Sequence, residues 1–285
     1  MEITMDKEEW SLVIEPKRSL LDINLKEIWE YRDLIFMFVK RDFTTFYKQT
    51  VLGPLWVILS PLMSTSIFTV VFGIIAGIST DDIPQFVFYM SGNILWSYFA
   101  NCLTKTSNTF AGNARIFGKV YFPRLVMPVS VTISGLINFA IQLVLFIVIM
   151  VIYIVNGSAI APNIYILLTP FLVLEAALLA LGFGIIVSSL TTKYRDLAVL
   201  VSFCVQLWMY ATPVVYPVSQ APGFLKDIIL LNPMAPIIET FRYAFLGRGA
   251  VPVKYLIISA FTTLAVLIIG VLIFNKVEKT FMDTV

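Results

Sequence analysis

Residues 125–174 read LVMPVSVTISGLINFAIQLVLFIVIMVIYIVNGSAIAPNIYILLTPFLVL, fifty consecutive positions without Asp, Glu, Lys or Arg. The hydrocarbon core of a bilayer takes roughly 20 apolar residues of helix to cross, so this run holds two spans. Asn156-Gly157-Ser158, near its middle, is a turn sequence and makes the run a helical hairpin. Ser158 also completes a glycosylation acceptor with Asn156, but a site pressed against the membrane is better read as turn chemistry.

Working outward, further uncharged runs lie at 49–80, 83–104, 176–192, 197–225 and 255–275. They predict spans over 54–77, 85–103, 197–215 and 255–274, and with the hairpin the count is six. The chain is 59% hydrophobic and 13% charged, against about 25% charged residues in soluble domains. The fold class expected is an all-α integral membrane protein. Residues 1–50 form a charged cytoplasmic segment, and residues 51–285 the transmembrane domain.

The basic residues orient the spans, because Lys and Arg collect in cytoplasmic loops. With the N-terminus inside, 16 of the 20 lie on the cytoplasmic side. The four others, Lys226, Arg242, Arg248 and Lys254, cluster near the last external connection. Both termini are thus expected in the cytoplasm, and no cleavable signal peptide is recognised at the N-terminus.

Ahead of the first span, Leu21, Leu25, Ile28, Trp29, Ile35 and Phe36 recur at roughly helical spacing. They predict an amphipathic helix at the membrane surface, started by Asn24 with Glu27; an ordinary solvated helix is the alternative. Thr69, Gly73 and Gly77, four residues apart, are either a close-packing stripe or glycines that membrane helices carry anyway. Between 217 and 252, two apolar pieces, 224–231 and 237–246, are punctuated by prolines. Each is too short to span, so both are expected to be re-entrant or interfacial helices covered by protein.

Catalytic chemistry is sparse. The chain has no histidine, the commonest general base and metal ligand, and its two cysteines, Cys102 and Cys204, both lie in apolar runs. It lacks a phosphate-binding loop and a nucleophile elbow. No metal site is expected, and nothing points to nucleic acid. Asp81 and Asp82 suit a solvated turn. Glu175 sits near the middle of span four, where a carboxylate is either functional or a packing device. Aromatics form 14% of the chain; they are divided between interfacial belts and deeper positions able to line a path for sugars.

Arg32-Asp33-Leu34, Arg41-Asp42-Phe43, Tyr47-Lys48-Gln49-Thr50 and Leu52-Gly53-Pro54-Leu55-Trp56 carry a family resemblance. So do Lys119-Val120-Tyr121-Phe122-Pro123-Arg124, Tyr194-Arg195-Asp196, Thr212-Pro213-Val214-Val215-Tyr216-Pro217 and Leu231-Asn232-Pro233-Met234. Over residues 25–274 the chain resembles the membrane subunit of ABC-2 type exporters of polysaccharide, O-antigen or teichoic acid. The resemblance implies a homodimer in the bacterial inner membrane, two copies of a separate ATPase subunit, and a lipid-linked polymer as substrate. No cofactor is implied in this chain; ATP and Mg belong to the partner.

Leu25, Ile28 and Trp29 would then lie in the interface helix. Arg115, Phe117, Lys119, Tyr121, Phe122 and Arg124 would form the loop that couples to the ATPase. Trp56, Phe72, Trp208, Tyr210 and Glu175 are the channel candidates, and Arg242 and Arg248 are expected near the outer mouth. Two other classes compete. A glycan polymerase or transferase would need acid, base or arginine clusters outside, where only Glu239, Arg242 and Arg248 are available; a secondary transporter would need charges within the spans.

Overall fold

The computed structural model describes residues 25–48, 53–117, 122–191 and 196–281, and all regular elements among these are helical. Asn24, Lys119, Tyr121 and Tyr194-Arg195 lie outside the described residues.

The N-terminal amphipathic segment is two helices, α1 (Leu25–Glu30) and α2 (Arg32–Lys48), joined at Tyr31. Ile35, Phe38 and Val39 of α2 are buried against Val126 and Met127. Trp29, Phe36 and Met37 are exposed. One face therefore packs on the bundle, while a second face presents exposed apolar side chains.

Helix α3 (Gly53–Phe68) passes into a π-helical stretch, Thr69–Ile75. The change of pitch breaks the four-residue stripe expected through Thr69, Gly73 and Gly77. Gly73 is buried against the Gln85 side chain, whereas Gly77, at φ +65° with open space around it, turns the chain out of the helix.

Helices α4 (Gln85–Ser107) and α7 (Thr169–Thr191) form the core of the bundle. Every residue from Val87 to Trp96 is buried. Helix α5 (Thr109–Phe117) follows α4, with a non-helical kink at Asn113. Around the core pair stand α6 (Val126–Val155), α8 (Leu197–Tyr210) and α11 (Val253–Phe281). Small residues bring α7 and α11 into backbone contact: a Cβ on Gly270 would lie 2.9 Å from the Gly182 carbonyl oxygen. With no hydrophobic driving force between helices in lipid, such close approach supplies the attraction.

Four helical segments are long and apolar enough to cross a membrane: Leu55–Ile75, Val126–Val155, Ile164–Thr191 and Val253–Lys276. The two further expected spans differ for separate reasons. Helix α4 has 23 residues, about 34 Å of rise, but its apolar character is lowered by Ser91 and Asn93, which are buried, and by Ser97, Asn101 and Thr104. Helix α8 is apolar but has 14 residues, about 21 Å. It stops before the expected end at 215: after Ala211 the chain turns, with the Thr212 hydroxyl donating to the Trp208 carbonyl (2.8 Å).

Two short helices, α9 (Gly223–Leu231) and α10 (Met234–Leu246), occupy the segment where short apolar pieces were expected. Helix α9 is largely exposed, while α10 is buried along nearly its whole length. The C-terminal carbonyls of α10 are met by the loop after α6: Asn163 Nδ2 donates to Tyr243 O (2.8 Å), Asn163 N to Ala244 O (3.0 Å) and Ala161 N to Leu246 O (3.3 Å). A helix end inside protein needs such partners, and here another hairpin provides them.

Candidate functional site

Three loci collect the polar and aromatic side chains of the bundle. The first is centred on Arg242 of α10. Its Nη1 donates to Glu239 Oε1 (2.7 Å), one helical turn back, and its Nη2 donates to Pro213 O (2.8 Å) and Val214 O (3.3 Å). The guanidinium lies over the Phe88 ring at 3.9 Å from the centroid. Gly92 admits it, since a Cβ there would stand 3.0 Å from Nη2 and from the Val214 carbonyl oxygen. Burial pushes the Glu239 carboxyl up from its ordinary range and the Arg242 guanidinium down, and their mutual attraction opposes both shifts.

Arg242, expected near an outer mouth, is 2% exposed, its side chain turned into the protomer. The non-helical backbone after α8 leaves carbonyls without helical partners, and a buried guanidinium with five donors is suited to collect them. Arg248, beyond the α10 end, is exposed. The two arginines expected together therefore do different things.

Beside this cluster, Trp208 Nε1 donates to Asn232 Oδ1 (3.1 Å), and Asn232 Nδ2 donates to Thr212 Oγ1 (2.8 Å). Trp208 is also ringed by Trp96, Phe99 and Phe183. Of the channel candidates, Trp208 is thus half-buried inside the protomer. Phe72 is half-buried beside Phe68, whereas Trp56 and Tyr210 are about half exposed, at 52% and 48%.

Glu175 is buried, and its Oε1 lies 2.5 Å from Ser259 Oγ, which in turn lies 2.8 Å from Pro233 O. The Ser259 hydroxyl is the donor to both, shared between the Glu175 carboxyl and the Pro233 carbonyl. The arrangement ties α7 to α11 and to the connection between α9 and α10.

The second locus is the loop expected to couple to a partner. Phe122 is 5% exposed and packs on Phe38, while Phe117 lies between Phe110 and Phe122 with Arg124 over its ring. Both phenylalanines are therefore used, at least in part, to fix α5 and α6 onto α2. Arg115 lies in α5, where its side chain is not described. In the interface helix, Ile28 is half-buried, Trp29 is 70% exposed, and Leu25 begins α1.

The third locus was missed on sequence. Asn93, Ser97, Asn101 and Lys105 recur every four residues along α4 and so share one face. Asn93 Nδ2 donates to Ser64 Oγ of α3 (2.7 Å), and Asn101 Nδ2 to Ser97 O (2.7 Å). The four-residue spacing is the signal in the sequence; hydropathy alone averages it away. Among the described residues no group of three or more His, Cys, Asp or Glu could hold a metal ion.

The O-antigen export system permease protein RfbA of Klebsiella pneumoniae is 29% identical over 253 residues, covering 88% of this chain and 94% of that protein. RfbA of Myxococcus xanthus is 27% identical over 264 residues, covering 92% and 98%. The polysialic acid transport protein KpsM of Escherichia coli is 24% identical over 254 residues, covering 86% and 93%. The profile of the ABC-2 type transporter family matches residues 33–246, from α2 through the end of α10, and the chain therefore belongs to the ABC-2 type transporter family.

Proposed function

We propose that this chain is the permease subunit of an ATP-driven exporter that moves a lipid-linked polysaccharide across the bacterial inner membrane. The observation that carries the reading is the nearly end-to-end match to proteins named for O-antigen export, with little of either chain left over for another activity. The rival reading of an embedded glycan polymerase loses its best residues, since Glu239 and Arg242 neutralise each other in a buried pair.

In this reading the chain crosses the membrane six times, with both termini in the cytoplasm. Helix α4 supplies the second span, and α8 with its turned extension the fifth. Helices α9 and α10 re-enter from outside. Two copies enclose the path, and each docks one copy of a separate ATPase that holds ATP and Mg. The basic residues Arg115, Lys119 and Arg124 favour that docking side, and teichoic acid is a second cargo that the same design would suit. Trp56 and Tyr210, half exposed on the single protomer, are the aromatics best placed to face a path between copies.

The test is export by purified protein in vesicles. Polymer translocation is expected only when a co-purified ATPase partner and ATP are present. Transport by the chain alone, with no ATPase, would overturn the proposal.

A further inference from the structure

Where α2, the last turns of α4 and the start of α5 meet, the chain leaves a cleft of about 590 Å³ whose lining includes Arg41, Lys105, Asn108, Asn113 and Asn138. A narrower cavity of about 190 Å³ continues from it, sharing Lys105, Val131 and Asn138, and runs past Ser97 and Asn101 to Trp56 and Phe139. The pair thus forms one slot, cationic and amide-lined at its wide end, with Trp56, Val57 and Phe139 set among polar side chains in its narrow part.

Charge is unbalanced at the wide end. Arg41 is bonded to Asp42 at 2.8 Å and lies over the Phe38 ring, so it is held in place. Lys105 is exposed and has no carboxylate within ion-pair distance among the described residues. Two cations against one carboxylate leave the lining with a net charge of +1. Ser134 Oγ, on the same wall, is buried and without a hydrogen-bond partner. Such a wall offers cationic and hydrogen-bonding groups to an anion. Basic pockets between transmembrane helices recognise anionic lipid headgroups on these terms.

We propose that this slot binds the phosphate headgroup of an anionic lipid, with Lys105 and Arg41 facing the phosphate, Asn108 and Asn138 as neutral partners, and the hydrocarbon lying toward Trp56 and Phe139. The proposal goes beyond polymer export and does not rest on it. Two lipids share the chemistry: a glycerophospholipid of the surrounding leaflet and a polyisoprenyl phosphate.

Native mass spectrometry of the full chain, purified in zwitterionic detergent, tests it by titration with phosphatidylglycerol, a polyisoprenyl phosphate and phosphatidylcholine. One or both of the anionic lipids is retained in preference to phosphatidylcholine, and the stronger of the two identifies the source. Lys105→Gln cuts that preference about fivefold, while Lys105→Arg keeps it. Asn138→Leu, which obstructs the slot and leaves both charges in place, lowers occupancy without needing the lysine variant to fold. Equal retention of phosphatidylcholine, or an unaltered preference in Lys105→Gln, overturns the proposal.

Discussion

Arg242 and Glu175 are ionisable side chains removed from solvent, and they meet the cost of burial in opposite ways. Arg242 keeps company with an anion, two carbonyls and a ring face. Replacing it by Met leaves Glu239 buried and unpaired and the 213–214 carbonyls unmet, which should cost about 3–5 kcal/mol. Thermal unfolding in detergent should show a large loss for Arg242→Met. Glu175 instead accepts from one hydroxyl. A glutamine carbonyl oxygen can accept there equally well, so Glu175→Gln should hold stability within about 0.5 kcal/mol, while Glu175→Ala should lose about 1–3 kcal/mol by stranding buried polar groups. Equal losses in the two variants would contradict the hydrogen-bond assignment. Sequence placed Glu175 in a span because its neighbours are apolar. It did not foresee the burial of Arg242, whose carbonyl partners lie 28 and 29 residues away. Only the Glu239-x-x-Arg242 spacing was on view, and a surface pair has the same spacing.

Among the elements, those read most directly were the ones whose signal is additive along the chain. The hairpin α6–α7 and helix α11 follow from apolar runs, and the prolines around α9 and α10 set those helices apart. What stayed hidden depends on neighbours. The π-helical stretch from Thr69 answers packing with Gln85, and the early stop of α8 is stabilised by a cap and a guanidinium from elsewhere in the fold. The crossing of α7 and α11 also depends on sequence positions far apart, Gly182 and Gly270. Any side chain at Gly270 meets the α7 backbone, which cannot yield as a flexible side chain would. Gly270→Leu is expected to separate α7 from α11 and cost about 1–3 kcal/mol or more, read as a lowered unfolding temperature. A matching Leu at Ile269, exposed on the same helix, should be near neutral.

On the scale of the whole molecule, burial is unevenly shared. The most apolar window of α7 is 61% buried, while those of the α3, α6 and α11 spans are 17–22% buried. The outer helices thus keep broad apolar faces for lipid or for another copy. The basic asymmetry predicts which end faces the cytoplasm. With Cys102 and Cys204 replaced by serine, a cysteine at Asn156 or Phe224 should react with an impermeant maleimide on intact cells, and one at Lys119 only after permeabilisation. Labelling of Lys119→Cys from outside would invert the topology. The central place of α4 also sets an order of events during biogenesis. Its main partner, α7, is centred some 84 residues later in the chain, which at ~5–20 residues per second is roughly 4–17 s of synthesis. For that interval α4 has α3, and then α6, beside it but lacks the helix that will cover the rest of its surface, and the insertion machinery must shelter that face until the hairpin is complete.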